Sequence, residues 1–148
     1  MKTSFFAPGA VEIQDDAASF QAAVATATEL LVTTGSALPG YVTEVQLALE
    51  DLGPYFVVAP GLAIAHAKPS EQVLAPGMAL LKLRTPINSG SHNDPVSLVF
   101  ALCSTDASSH LDMLSEFGEL MSRDGVINSL LNASAESVIR QILSSRQV

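Results

Sequence analysis

The sequence predicts an α/β fold: a single layered domain in which a mixed β-sheet is flanked by α-helices. Helical spacing of apolar residues occupies the first and last thirds of the chain, while four short apolar runs separated by Pro, Gly, Asn and Ser fill the middle. The last of those runs, residues 96–103, is almost continuously apolar, which suits a central strand covered on both faces. Hydrophobic residues make up 48% of the 148 positions and charged residues only 15%, against roughly 25% charged in an average globular protein. Such a chain must bury a core, so disorder is excluded, and its length predicts one domain over residues 1–148.

The elements follow in order. Asp15 and Asp16 stand where a helix cap is expected, ahead of Phe20, Val24, Ala27 and Leu31 on one helical face that stops at Gly35. After the Pro39-Gly40 break, a second helix carries Val45, Leu49 and Leu52 and ends at Gly53-Pro54, since proline disfavours helical geometry in the residue before it. Residues 55–58, 62–65, 78–83 and 96–103 read as strands. The polar loop 104–109 leads into a helix with Leu111, Leu114, Gly118 and Met121 at helical spacing, where Ser109 and Asp112 resemble a capping box. Two short helices close the chain, the first with Val126, Ile127, Leu130 and Leu131. The second carries Val138, Ile139, Ile142 and Leu143, with Ser134 as its N-cap.

Charge and motif content exclude several functions. Seven Lys and Arg against fifteen Asp and Glu give a net charge of −8, which repels phosphate backbones and anionic lipid surfaces, so neither nucleic acid nor membrane is expected as a partner. The longest uncharged stretch near the middle, residues 53–67, is interrupted by Pro54, Pro60 and Gly61 and falls short of the roughly 20 apolar residues a spanning helix needs. Residues 1–9 lack a sustained apolar core of a signal peptide, so export is not expected. A lone cysteine, Cys103, forms no internal disulfide, fits a reducing cytoplasm, and at the end of an apolar strand reads as a small buried side chain rather than a nucleophile. P-loop, dinucleotide-binding, zinc-protease, Cys-x-x-Cys and serine-hydrolase motifs are all missing, so no cofactor is expected.

The three histidines carry more. His66 ends a short β-type run just before Ala67-Lys68-Pro69, and strand ends in α/β sheets are where ligands usually bind. A hydrogen-bonded histidine closing a strand would look the same. His110 falls in the first turn of a predicted helix, behind Ser104, Thr105, Ser108 and Ser109. Free N–H groups and hydroxyls there favour an anion, with Ser108 and Ser109 as phosphate-binding candidates; an ordinary surface histidine beside a helix cap is the alternative. If the 96–103 strand lies beside the one bearing His66, the two histidines converge, and a neutral imidazole is a competent phosphoryl acceptor near pH 7. His92, in the turn-rich 88–95 segment, reads as an exposed loop residue. The three lack the short paired spacings of zinc sites, so no metal is expected.

Residues 53–69, Gly-Pro-Tyr-Phe-Val-Val-Ala-Pro-Gly-Leu-Ala-Ile-Ala-His-Ala-Lys-Pro, resemble the active-site segment of the enzyme IIA components of the sugar phosphotransferase system, mannitol–fructose type. Asn93-Asp94-Pro95-Val96, the apolar strand and residues 106–110 are similar to that family's second motif, and the likeness extends from about Phe20 to Leu143. The Gly-Pro-Tyr-Phe-Val opening and the Ala-Pro-Gly-Leu-Ala core look closest to the ascorbate-type branch. The resemblance implies that His66 receives a phosphoryl group from the histidine-containing phosphocarrier protein HPr and passes it to a cysteine of an enzyme IIB, which works with a membrane enzyme IIC in carbohydrate uptake. It implies that His110 supports the phosphorylated ring, and that the fold is a mixed sheet flanked by helices. Where that family usually has proline before the active histidine, this chain has Ala65, which predicts a less rigidly presented ring. Two further readings compete: a regulatory module whose His66 phosphorylation controls partner binding, and a metal- or small-molecule-binding domain on the same scaffold.

Overall fold

Val96–Cys103 form the strand around which the rest is assembled, and every residue in it except Ser97 is buried. A strand without a polar face must be covered on both sides, and the computed structural model, which describes residues 5–144, places it in the centre of the sheet. In chain order the elements are β1 (Val11–Gln14), α1 (Phe20–Thr33), α2 (Gly40–Leu52), a 3-10 turn (Gly53–Phe56), β2 (Val57–Ala59), β3 (Leu62–Ala65), β4 (Gly77–Ile87), β5 (Val96–Cys103), α3 (Ala107–Met121), α4 (Val126–Asn132) and α5 (Glu136–Ser144). The five-stranded sheet runs β1-β4-β5-β3-β2. It is mixed: β1 with β4 and β3 with β5 are parallel, while β4 with β5 and β2 with β3 are antiparallel.

Helix α1 packs on β4, β5 and α2, α5 lies against β1, and α4 bears on β5. One hydrophobic core results, with Phe100 of β5 edge-to-face against Phe117 of α3 (4.8 Å between centroids) and Phe6 (6.4 Å). Lys82 is buried on β4 and donates to the main-chain carbonyls of Leu131 and Ala133 at the end of α4. A cation there meets the negative pole of the helix. Burial, and secondarily Arg84, hold its ammonium below the usual lysine range.

Several sequence-based expectations are corrected. The cap of α1 is Ser19, whose hydroxyl accepts from the amide of Ala22, not Asp15 or Asp16; Asp15 instead pairs with Arg84 at 2.8 Å on the surface. The short strand β1 was not expected, and residues 55–58 begin as a 3-10 turn rather than as strand. Helix α3 is capped by Asp106, and its buried face is Met113, Phe117 and Leu120. The larger Met and Phe side chains take the interior, so Leu111 is left 66% exposed and Gly118 faces out. Helix α5 starts one residue later than Ser134 would set it, with the Ala135 carbonyl accepting from Ile139. Of the N-terminal segment read for a signal peptide, residues 1–4 lie outside the described residues.

Candidate functional site at the ends of two parallel strands

The site is made by the β3–β5 pair. Pairing runs in register from Leu62↔Leu98 to Ala65↔Ala101, so both chains leave the sheet at the same edge. At the opposite end the register is locked: Gly61 donates to the carbonyl of Asn93 (3.0 Å), while its own carbonyl accepts from Ser97 and Leu98. Gly61 has φ 77°, a conformation that costs glycine little and other residues more. The Asp94 carboxylate gathers the amides of Ser89 and Gly90 and the hydroxyl of Ser89. Burial opposes its charge, but these hydrogen bonds outweigh that and hold it below the usual carboxylate range. Gly61 of the first family-like segment and Asn93-Asp94 of the second therefore meet at the start of the two strands, at the end opposite His66, where they set alignment.

His66 follows the last residue of β3, and His110 lies in the first turn of α3, which begins four residues after β5 ends. Their rings face at 5.2 Å between centroids, tilted by 56°. Strand β2 reaches only to Ala63 on β3, so the carbonyl of Ile64 is left to accept from Nδ1 of His66 at 3.1 Å. A carbonyl only accepts, so the proton sits on Nδ1 and the neutral ring keeps its lone pair on Nε2. Phe56, buried at the end of the 3-10 turn, packs its ring 5.5 Å from the same imidazole. Burial lowers the His66 pKa from the ordinary histidine value; the Ile64 carbonyl opposes this, and the neighbouring His110 adds to it. The ring is thus held neutral, nucleophilic and oriented.

His110 is tied to the main chain by Ser104, a fully buried hydroxyl just beyond β5. The Ser104 oxygen lies 3.3 Å from Nδ1 of His110 and 3.3 Å from the carbonyl of Asp106. The carbonyl can only accept, so the Ser104 hydroxyl donates to it and its oxygen is left to accept from Nδ1–H of His110. A cleft of about 590 Å³ opens over both rings, lined also by Ala48, Leu52, Lys68 and Leu111. Leu52 (48% exposed) and Leu111 (66%) were expected in the core and instead form its apolar rim.

The sequence-predicted pair His66 and His110 is therefore brought together, but Ser108 and Ser109 do not line that cleft. The Ser109 amide is taken by the Asp106 carboxylate at 2.7 Å, and Ser109 lines a separate hollow with Phe5 and Pro76. His92 is exposed in its loop. Cys103 is buried, and desolvation pushes its thiol up to about 12, which leaves it inert as a nucleophile. Among the described residues no group of three or more His, Cys, Asp or Glu could hold a metal ion, and no helix is long and apolar enough to cross a membrane. Sequence reasoning missed Tyr41, Phe56 and Leu111 as site residues. Only the Tyr-Phe pair of the Gly-Pro-Tyr-Phe segment carried a signal.

A mixed five-stranded sheet with helices packed on it is the architecture of phosphotransferase-system IIA proteins. The solution structure of the mannitol-specific cryptic phosphotransferase enzyme IIA CmtB from Escherichia coli superposes with a TM-score of 0.87 at 27% identity, covering 97% of this chain and 99% of that one. The crystal structure of the nitrogen regulatory protein IIA-Ntr from Neisseria meningitidis has a TM-score of 0.77 at 26% identity, covering 95% and 97%. In sequence, the ascorbate-specific PTS system EIIA component of Escherichia coli K12 is 35% identical over 104 residues, 70% of this chain and 68% of that protein. Residues 4–146 match the family model of the phosphoenolpyruvate-dependent sugar phosphotransferase system, EIIA 2, and the chain belongs to that family.

Proposed function

We propose that this chain is a cytoplasmic phosphocarrier, one IIA domain over residues 1–148, that accepts a phosphoryl group on Nε2 of His66. The observation that carries this is the facing of the His66 and His110 rings at 5.2 Å, with Nδ1 of His66 bound to the Ile64 carbonyl. In the first step the Nε2 lone pair attacks phosphorus on the phosphohistidine of HPr. The P–N bond to the donor breaks, and its electron pair returns to the donor imidazole. In the second step a cysteine thiolate of enzyme IIB attacks the same phosphorus, and the pair of the Nε2–P bond returns to His66. Phosphoryl transfer needs placement and charge balance more than acid–base chemistry. His110, whose ring faces His66, supports the phosphorylated imidazole by hydrogen bonding. Lys68, the cation lining the cleft, supplies positive charge in place of the role expected of Ser108 and Ser109. The 35% identity to the ascorbate-specific component supports ascorbate as the carbohydrate, taken up through a membrane enzyme IIC.

The test is incubation with enzyme I, HPr and phosphoenolpyruvate, followed by intact mass. One acid-labile, base-stable phosphoryl group is expected on the wild type and none on His66→Ala, while His110→Ala is labelled more slowly by about a hundredfold or more. Full labelling of His66→Ala would overturn the assignment. The likeness to the nitrogen regulatory protein favours a second reading, in which the phosphorylation state of His66 controls partner binding. A partner that binds one form of the chain and accepts no phosphate would mark that role.

A further inference from the structure

Tyr41 stands in the first turn of α2 with its side chain fully buried, and its hydroxyl sits where the β3–β5 ladder stops. The amide of Ala67 donates to the Tyr41 oxygen at 3.0 Å, and the Tyr41 hydroxyl donates to the carbonyl of Leu102 at 2.7 Å. In this register, with Leu98 donating to the carbonyl of Gly61, successive parallel rungs would bring the amide of Ala67 directly to the carbonyl of Leu102. The phenol occupies that rung. A direct rung spans about 2.9 Å between nitrogen and oxygen, so a hydroxyl between the two holds the strand ends farther apart.

The inserted rung lies between the segments that bear the two histidines. Ala67 follows His66 directly, and Leu102 stands two residues before Ser104, which holds His110. His66 is therefore fixed on one side by the Ala65↔Ala101 pair and on the other by Tyr41. Burial raises the phenol pKa well above its ordinary value, so the hydroxyl stays protonated and keeps its donor.

We infer that Tyr41 is a positioning residue for phosphoryl transfer: its hydroxyl wedges the ends of β3 and β5 apart at a fixed spacing and thereby sets the His66 ring against the Ile64 carbonyl and His110. The inference rests on the phosphocarrier reading for its kinetic arm alone. It also supplies the backbone restraint that Ala65, in place of proline, does not.

Tyr41→Phe deletes the wedge and retains the ring. Val45→Ala, one turn along the same helix and fully buried, is the control for lost packing. Two readings are taken on the purified chain: the rate of label uptake from phosphorylated HPr, and the ¹⁵N signals of the His66 ring, which report its tautomer. Tyr41→Phe is expected to slow uptake about tenfold or more, as misplacement of a reacting group does, and to lose the fixed Nδ1–H tautomer. Val45→Ala is expected to keep wild-type values in both, despite a lower melting temperature. Unchanged ring signals in Tyr41→Phe, or equal slowing in Val45→Ala, would overturn the inference. If the wild type takes no label, the phosphocarrier reading fails, and the ring signals alone decide the role of Tyr41.

Discussion

Each nitrogen of His66 has a separate task. Nδ1 is committed to the Ile64 carbonyl and orients the ring; Nε2 is left for chemistry. Burial disfavours the imidazolium, with His110 from α3 adding to it, while the Ile64 carbonyl opposes; Lys68 and Asp51 are the other charged groups lining the cleft. The folded-state pKa lies below an unfolded value of about 6.5, so the unfolded chain binds the extra proton. Stability from this residue is complete above about pH 6.5 and declines as pH falls through that value toward the folded pKa. NMR titration should give His66 a midpoint below 6.5, and a midpoint at or above 6.5 would contradict the desolvated ring described above. His66 was legible as the candidate phosphoryl acceptor from one position at a strand end and one segment around it. Tyr41 was not, because its partners lie 26 and 61 residues away, and no local pattern encodes such a contact.

At the scale of elements, the strands read well and the caps did not. A run such as 96–103 advertises its own burial, whereas a cap is decided by one hydroxyl reaching one amide. Ser19 does so at 3.0 Å, and the nearby Asp15 and Asp16 do not. Ser19→Ala should therefore cost about 1 kcal/mol of stability, and Asp16→Ala should lie within about 0.5 kcal/mol of wild type. Chemical denaturation of both variants checks the assignment, and the reverse ranking would restore the aspartate cap. Helix α3 teaches a related lesson. It offers two apolar stripes, one through Leu111 and Leu114 and one through Met113, Phe117 and Leu120, and periodicity alone does not rank them. Packing against Phe100 selects the second, and the residue left out becomes rim of the cleft. β1 was passed over because four alternating residues are too short a signal until a partner such as β4 is in place.

For the whole molecule, the α/β architecture and the mixed sheet follow from the order of apolar runs, while strand order came only from the structure. Phe100 joins the central strand to α3 and to the N-terminal segment through two ring contacts. Phe100→Ala should cost about 3–5 kcal/mol and move a single cooperative unfolding transition to lower denaturant. A native-like midpoint would show that the core does not depend on this junction.

The cleft over the paired rings has one further consequence. If His66 is the phosphoryl acceptor proposed above, a protein delivering the group and a protein collecting it must occupy the same ground, since His66 lines that one cleft. They are kept apart by time instead of by distance. A carrier so built works as a turnstile, in which each visitor has to leave the apolar rim of Leu52 and Leu111 before the next arrives.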